Sequence, residues 1–241
     1  MPGDMACSCS SLPILGLPGT EAMDLLDPRE PMSAWTHAAG LMLAIPGTIL
    51  LLRQSAGDLS KQLSLLIYGL ALVFCYAGST LFHAVRPMTN GLGPYARLDG
   101  VGIFALIAGT YTPIAWSLLR GRPRVWTLTI VWGVAIPASL VIAIGRRFSP
   151  VLGTSLYLGL GWGAVACYHE LAKVVSHRAL IPIVLGGVSY SLGAVLNLAR
   201  WPVLVPGVMG AHEMFHLFVL AGSAAHYWFI LNIVAPFRRP G

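Results

Sequence analysis

The chain has 241 residues, of which 56% are hydrophobic and only 10% are charged, and its formal net charge is +6. Soluble domains carry about 25% charged residues, so this composition excludes an ordinary soluble protein and indicates a polytopic membrane protein. The basic residues gather near the ends of apolar runs, which is typical of anchoring at lipid headgroups and not of nucleic-acid binding.

Seven apolar runs are long enough to cross a bilayer, which takes about 17 to 25 residues. We therefore predict an all-α protein, a seven-helix transmembrane bundle over residues 33–235, in which any chemistry is built from helix ends. The predicted spans are residues 34–52, 63–85, 98–118, 125–144, 150–168, 180–198 and 212–234.

The regions outside the bundle are predicted to be tails. Residues 1–32 contain five prolines and no basic residue before Arg29. They lack the positively charged start and the continuous apolar core of a signal peptide, so we expect a mostly disordered segment. Residues 236–241 are predicted to form a short basic tail.

The start of span 1 carries a histidine close to the membrane boundary. Ser33 can cap the helix, and Trp35 suits the membrane interface. His37 follows two residues later. We predict a solvated interfacial histidine there, with a role in a functional site as the alternative.

Polar residues also mark the end of span 2 and the start of span 3. Span 2 ends in GSTLFH, where Ser79 and His83 are four residues apart and share a helix face. Asp99 is the one acidic residue at the head of the apolar run VGIFALIAGTYTPIAW. A carboxylate at this depth needs a cation, a metal or several hydrogen-bond donors. Pairing with Arg97 is the purely structural alternative.

Spans 4 to 6 are predicted to be scaffold, because they hold the glycines and prolines of packed transmembrane helices and no charge in mid-membrane. Interhelical hydrogen bonds account for Tyr190 and Asn197 in span 6. His169, Glu170 and His177 are placed in the loop between spans 5 and 6, on the opposite membrane face from span 7's start, and are excluded from the site.

Span 7 begins with the sequence AHEMFH, in which His212 and His216 are four residues apart. On a helix they lie one above the other on one face, about 6 Å apart along the axis. This is the spacing of a metal-chelating pair. Ionisable groups in a membrane span are costly and by default functional, which favours a metal site over two structural histidines.

Successive spans cross the membrane in alternating directions, so the start of span 1, the end of span 2 and the starts of spans 3 and 7 share one membrane face. His83, His212 and His216 then form an open three-histidine set. Tetrahedral zinc with three protein ligands keeps a fourth position for water. Asp99 is suited to orient or deprotonate that water, and Ser79 to hydrogen-bond a ligand or the substrate carbonyl.

The same residues allow a second interpretation, because His212-Glu213-Met214-Phe215-His216 is an HExxH sequence. With Leu98-Asp99-Gly100 it suggests an intramembrane metalloprotease in which Asp99 is the third ligand. In those proteases the LDG motif follows HExxH, whereas here it precedes it. That order argues against the protease.

Three segments resemble the signature regions of the haemolysin III family, the bacterial branch of the progestin and adipoQ receptor superfamily. They are GSTLFH, LDGVGIFALIAGTYTP and GGVSYSLGAVLNLARWPVLVPGVMGAHEMFHLFVLAGSAAHYW. The resemblance covers roughly residues 33–234. It implies a seven-helix bundle whose zinc is held by His83, His212 and His216, with the family's serine and aspartate at Ser79 and Asp99.

The resemblance also indicates which functions to expect. Eukaryotic relatives are receptors, and the wider superfamily includes alkaline ceramidases that hydrolyse a lipid amide. Many bacterial members have a histidine after the aspartate, where this chain has Gly100. That difference leaves the predicted ligands unchanged but removes a possible neighbour of Asp99.

We expect a zinc-dependent hydrolase of a lipid amide or ester bond, with a membrane lipid as substrate or ligand, in the bacterial cytoplasmic membrane. The alternative is a receptor or sensor in which zinc only joins spans 2 and 7. The family name also suggests pore formation, but the predicted spans show no charged channel lining.

The orientation of the chain in the membrane is left open. The receptors keep the metal in the cytoplasm, but six basic residues lie on the metal side and nine on the other, which by the positive-inside rule would place the metal outside.

Overall fold

The computed structural model describes residues 28–86 and 92–238. Within these ranges, seven helices are long and apolar enough to cross a membrane, and the predicted all-α, seven-helix bundle is confirmed. Most of the predicted tails, residues 1–27 and 239–241, lie outside the described residues. The helices are α1 (Pro31–Gln54), α2 (Leu59–Ala84), α3 (Leu92–Leu118), α4 (Gly121–Ala143), α5 (Pro150–Trp162), α6 (Ala164–Ala172), α7 (His177–Ala199) and α8 (Ala211–Phe229), which ends in a π-helical turn (Ile230–Val234).

The fifth span is built from two helices, α5 and α6, with a break at Gly163. The Tyr111 hydroxyl of α3 lies 2.8 Å from the carbonyl oxygens of both Leu160 and Gly161. Carbonyls freed by a helix break need such a partner inside a membrane, because lipid supplies no hydrogen-bond donor. Span 5 therefore crosses as one interrupted helix.

Because α6 continues the fifth span past this break, the predicted loop between spans 5 and 6 is shorter than expected. His169 and Glu170 are helical residues of α6, and His177 is the first residue of α7. Ser176 caps α7 by accepting a hydrogen bond from the Ala179 amide. These residues stay at the end of the bundle away from His212, as the count of spans predicts.

The centre of the bundle is the α2–α3 pair, flanked by α1 and α4, while α8 packs against α7 and α1. Two glycines let α2 and α3 approach closely beside the predicted site. A Cβ atom on Gly102 would lie 2.9 Å from the Cα of Cys75, and one on Gly78 would lie 3.1 Å from the Leu98 carbonyl. This close approach brings Ser79 of α2 next to Asp99 of α3.

Part of the apolar core lies at the end of the bundle away from His212. Leu51, Leu65, Phe229 and Ile230 are fully buried there. That end also buries polar groups that bond to backbone carbonyls, such as Lys61, whereas the other end of the same helices buries Ser79, His83 and His216. Polar burial is costly unless those groups have partners or a function, so this end is where the site is sought.

Candidate metal centre

The three predicted ligand histidines meet where the last turn of α2 faces the first turns of α8. The Nε2 atom of His212 lies 3.5 Å from the Nε2 of His83 and 3.2 Å from the Nε2 of His216. The potential ligand atoms of all three residues lie within 4.8 Å of one another. His83 and His216 are buried, and His212 is half-buried.

Two of the three separations match those of a tetrahedral metal site. Zinc binds histidine nitrogen at about 2.0 to 2.1 Å, so two ligands at the tetrahedral angle are about 3.3 to 3.4 Å apart. The observed 3.2 and 3.5 Å bracket that value. Each of the three imidazoles brings a nitrogen atom to the same place, and imidazole nitrogens are ordinary metal ligands. The cluster could therefore hold a metal ion such as zinc.

The outer nitrogen of His83 is held by Glu30, the residue that precedes α1. His83 Nδ1 lies 2.5 Å from Glu30 Oε2. The backbone adds a second contact, because the Glu30 amide donates a hydrogen bond to the His83 carbonyl at 3.0 Å. The hydrogen bond from His83 keeps the pKa of the Glu30 carboxyl below its usual range. A carboxylate on the outer nitrogen fixes the ring so that Nε2 faces the metal position.

Sequence reasoning missed Glu30, because it counted residues 1–32 as a tail. The described part of that segment is attached to the end of α2: Arg29 Nη2 donates to the Phe82 carbonyl at 2.9 Å, and the Arg29 guanidinium lies 3.0 Å from the Glu30 carboxylate. The available signal was an acidic residue directly before span 1, on the membrane face of the predicted metal.

His212 also has a partner for its outer nitrogen. Its Nδ1 lies 3.3 Å from Asn197 Oδ1 on α7. Asn197 was predicted to form an interhelical hydrogen bond. It does so, and its partner is a histidine of the site. Asn197 is thus a second orienting residue that sequence reasoning did not assign to the site. The third histidine, His216, has no hydrogen-bond partner for Nδ1 among the described residues.

His37 is not the solvated interfacial histidine that we predicted. It is 3% exposed, and its ring centroid lies 3.9 Å from that of His216. Neither of its ring nitrogens has a hydrogen-bond partner within the described parts of the chain. The prediction is wrong because α1 turns the face that carries His37 inward, against α2 and α8.

A cavity of about 220 Å³ extends from the histidines into the bundle. Its walls are mostly apolar side chains of α3, α5, α6, α7 and α8. Its polar end is lined by His37, Ser79, Asp99, His212 and His216. The structure therefore brings Ser79, Asp99 and two of the three predicted ligand histidines, His212 and His216, to one end of one cavity.

Asp99 of α3 and Ser79 of α2 line this polar end together. Arg97, the alternative partner of Asp99, instead donates to the Ala143 carbonyl of α4 at 3.4 Å. Among the described residues, the group that could hold a metal consists of the three histidines without Asp99. Asp99 is thus placed beside the histidine cluster and not within it.

Glu213, the acidic residue of the HExxH sequence, is engaged elsewhere. Its Oε2 accepts a hydrogen bond from the Gly210 amide at 2.8 Å. A carboxylate three residues into a helix that reaches back to the cap amide satisfies a free donor and the helix dipole. Glu213 therefore caps α8, and it is not among the residues that line the cavity.

Replacing Glu30 by alanine is expected to weaken zinc binding by about 10- to 100-fold, since loss of a partner on a ligand's outer nitrogen typically costs that much. Glu30→Gln should recover most of the affinity, because its amide oxygen can still accept from His83 Nδ1. The zinc dissociation constant of the purified protein, measured by competition with a chelator, checks this.

The matched control is Glu170→Ala. Glu170 has the same 38% side-chain exposure as Glu30, but it pairs with Lys173 at the other end of the bundle. This control should bind zinc as the unmodified protein does. Equal affinity in Glu30→Ala and the control would show that helix packing alone holds His83 in place.

The sequence also matches known proteins over most of its length. The profile of a family described as Haemolysin-III related matches residues 27–227. Hemolysin-3 of Bacillus cereus is 34% identical over 213 residues, which cover 86% of this chain and 93% of that protein. The human monocyte to macrophage differentiation factor is 27% identical over 214 residues, with 86% of this chain and 84% of that protein covered.

A more distant animal relative is the adiponectin receptor protein of Drosophila melanogaster, 26% identical over 219 residues. The match covers 82% of this chain and 49% of that receptor. The resemblance seen in the sequence motifs is thus confirmed across most of the chain. With its seven membrane-spanning helices, the chain is an integral multi-pass membrane protein and belongs to the haemolysin III family.

Proposed function

We propose that this protein is a zinc-dependent hydrolase that cleaves an amide or ester bond of a membrane lipid, and that it works in the bacterial cytoplasmic membrane. One observation carries the proposal. Two of the three histidines with metal-ligand spacing, His212 and His216, line the polar end of a cavity whose other walls are mostly apolar, and Asp99 and Ser79 line that same end.

The residues of the site have separate roles. Zinc, when bound, supplies a Lewis acid that polarises a carbonyl group and lowers the pKa of a bound water from 15.7 towards about 7. His83, His212 and His216 hold the ion through Nε2. Asp99 accepts the proton of the attacking water, and Ser79, which lines the same end of the cavity, is placed to hydrogen-bond the Asp99 carboxylate.

The apolar walls suit a lipid substrate. A hydrocarbon chain placed in the cavity gains from removal of its surface from water, and its presence keeps bulk water away from the polar end. The cleavable bond of such a lipid lies between the apolar chain and the polar headgroup. That position corresponds to the boundary between the cavity walls and the histidines.

A receptor with a structural zinc is the alternative, and one relative bears the name of a receptor. A zinc ion that only joins α2 to α8 would have closed, buried ligands. Such a site would need no space for a substrate. His212 is half-buried and opens on the cavity, as does Asp99. This favours the hydrolase. The use of Glu213 as a helix cap likewise disfavours the HExxH metalloprotease.

The proposal is tested by incubating the purified, zinc-loaded protein with a panel of long-chain N-acyl amides and O-acyl esters of membrane lipids. We expect release of free fatty acid from at least one class, loss of release when a chelator removes the metal, and recovery when zinc is restored. Mass spectrometry of the products measures it. Absence of release from every lipid of the panel at full zinc occupancy would favour the receptor.

A further inference from the structure

A second cavity, of about 600 Å³, opens at the membrane face that carries the metal centre. It lies among the ends of α3, α4, α5 and α7. Four arginines contribute to its lining, and no acidic residue is among the described residues that do so. The four are Arg97, Arg146, Arg147 and Arg200.

The arginine side chains are available to a ligand. All four residues are exposed, and within the described ranges no carboxylate forms an ion pair with any of them. Arg97 is partly engaged, because it donates to the carbonyl of Ala143 at the end of α4. Arg146, Arg147 and Arg200 therefore provide an excess of positive charge around a polar cavity.

A helix terminus adds to this positive potential. Ser149, Pro150 and Gly153, from the first turn of α5, also line the cavity. Ser149 caps α5 by accepting from the Leu152 amide at 3.2 Å, so the amino end of this 13-residue helix faces the arginines. The amino end of a helix carries a partial positive charge and favours anions.

The backbone of Arg200 provides a separate observation. Arg200 ends α7 with φ at 54°, in the left-handed region. Glycine, sometimes asparagine, is favoured at this position after a helix, since a Cβ atom makes the conformation costly. An arginine is placed there in spite of that cost, and its side chain lines the cavity. Such a position suggests that the guanidinium serves a ligand.

We propose that this arginine-lined cavity binds phosphate, carried by the headgroup of a membrane phospholipid. Guanidinium groups match the oxygens of a phosphate with paired hydrogen bonds, and the cavity lies at the membrane face, where headgroups are found. The site adjoins the metal centre: Tyr157 lines both cavities, and Asn197 lines this one while contacting His212. The assignment concerns binding and does not depend on the proposed hydrolase.

The test measures binding of dihexanoyl phosphatidylglycerol and, separately, of inorganic phosphate to the full chain in a non-ionic detergent by calorimetry. The variant is Arg146→Gln/Arg147→Gln, which leaves the Arg97 bond to α4 intact. We expect it to weaken phospholipid binding by about tenfold or more, because charge-assisted guanidinium–phosphate bonds are lost. The control is Arg122→Gln/Arg178→Gln, which removes two exposed arginines at the other membrane face and should leave the dissociation constant nearly unchanged.

Phosphate can also bind a metal ion, so the measurement is repeated with the zinc-free variant that lacks all three histidines. Phospholipid binding should persist there and should remain sensitive to Arg146 and Arg147. Equal affinity in the arginine variant and its control overturns the site. Arginine-dependent binding of inorganic phosphate without any binding of the phospholipid would keep the phosphate site and overturn the lipid as its source.

Discussion

Replacing His83, His212 and His216 together by alanine is expected to remove nearly all zinc from the purified protein, which should otherwise carry about one ion per chain. The three histidines are the only group of at least three potential ligands with metal spacing among the described residues. Without them the metal position has no protein nitrogen left. Elemental analysis of the protein, purified without added chelator, measures the change.

The matched control for the triple variant removes histidines that are remote from the cluster. His169 and His177 are exposed residues at the other end of the bundle, and His177 contacts the Tyr168 hydroxyl through Nδ1. His169→Ala/His177→Ala should retain its zinc. Unchanged zinc content in the triple variant would contradict the assigned ligands, and metal loss in the control would show that purification alone strips the ion.

The positions of the helices were readable from the sequence for a physical reason. Inside a bilayer each backbone amide and carbonyl must be satisfied within the chain, so an apolar run long enough to cross has to be a helix. The break at Gly163 could not be predicted from the sequence. The break depends on the Tyr111 hydroxyl, which arrives from another helix and pairs with the carbonyls of Leu160 and Gly161.

The three histidines were found because helical spacing and the alternation of spans suffice to bring them together. His37 was misplaced because α1 is apolar on nearly every side, so its sequence pattern does not say which face turns inward. Glu30 was missed because its bond to His83 joins residues 53 positions apart. Contacts of that kind depend on how helices rotate and tilt against each other, which hydropathy does not encode.

The arginine-lined cavity could not be predicted from the sequence for the same reason. The basic residues at helix ends, such as Arg146 and Arg147, were interpreted as anchors at lipid headgroups, and Arg97 was considered as a partner of Asp99. Their arrangement around one cavity depends on the packing of α3, α4, α5 and α7. Composition along the chain gives the charge of each helix end, but not which ends are neighbours.

Replacing Asp99 by asparagine is expected to leave most of the zinc bound while lowering lipid hydrolysis by about 100- to 10,000-fold, the usual contribution of a general base. Asp99 lies outside the histidine cluster, so the metal should keep its three ligands. The amide of asparagine preserves the shape of the side chain, but it cannot take up the proton of water. Zinc content and fatty-acid release are measured on the same preparation.

Glu213→Gln is the matched control, because it neutralises a carboxylate on the same membrane face that caps α8 and does not line the cavity. Helix-end electrostatics are worth about 0.3 to 1 kcal/mol, so the control should keep its zinc and its activity within about tenfold. Loss of zinc from Asp99→Asn as complete as in the histidine variant would make Asp99 a ligand. Loss of activity in Glu213→Gln with zinc retained, together with an active Asp99→Asn, would transfer the role of the base to Glu213 and restore the metalloprotease interpretation.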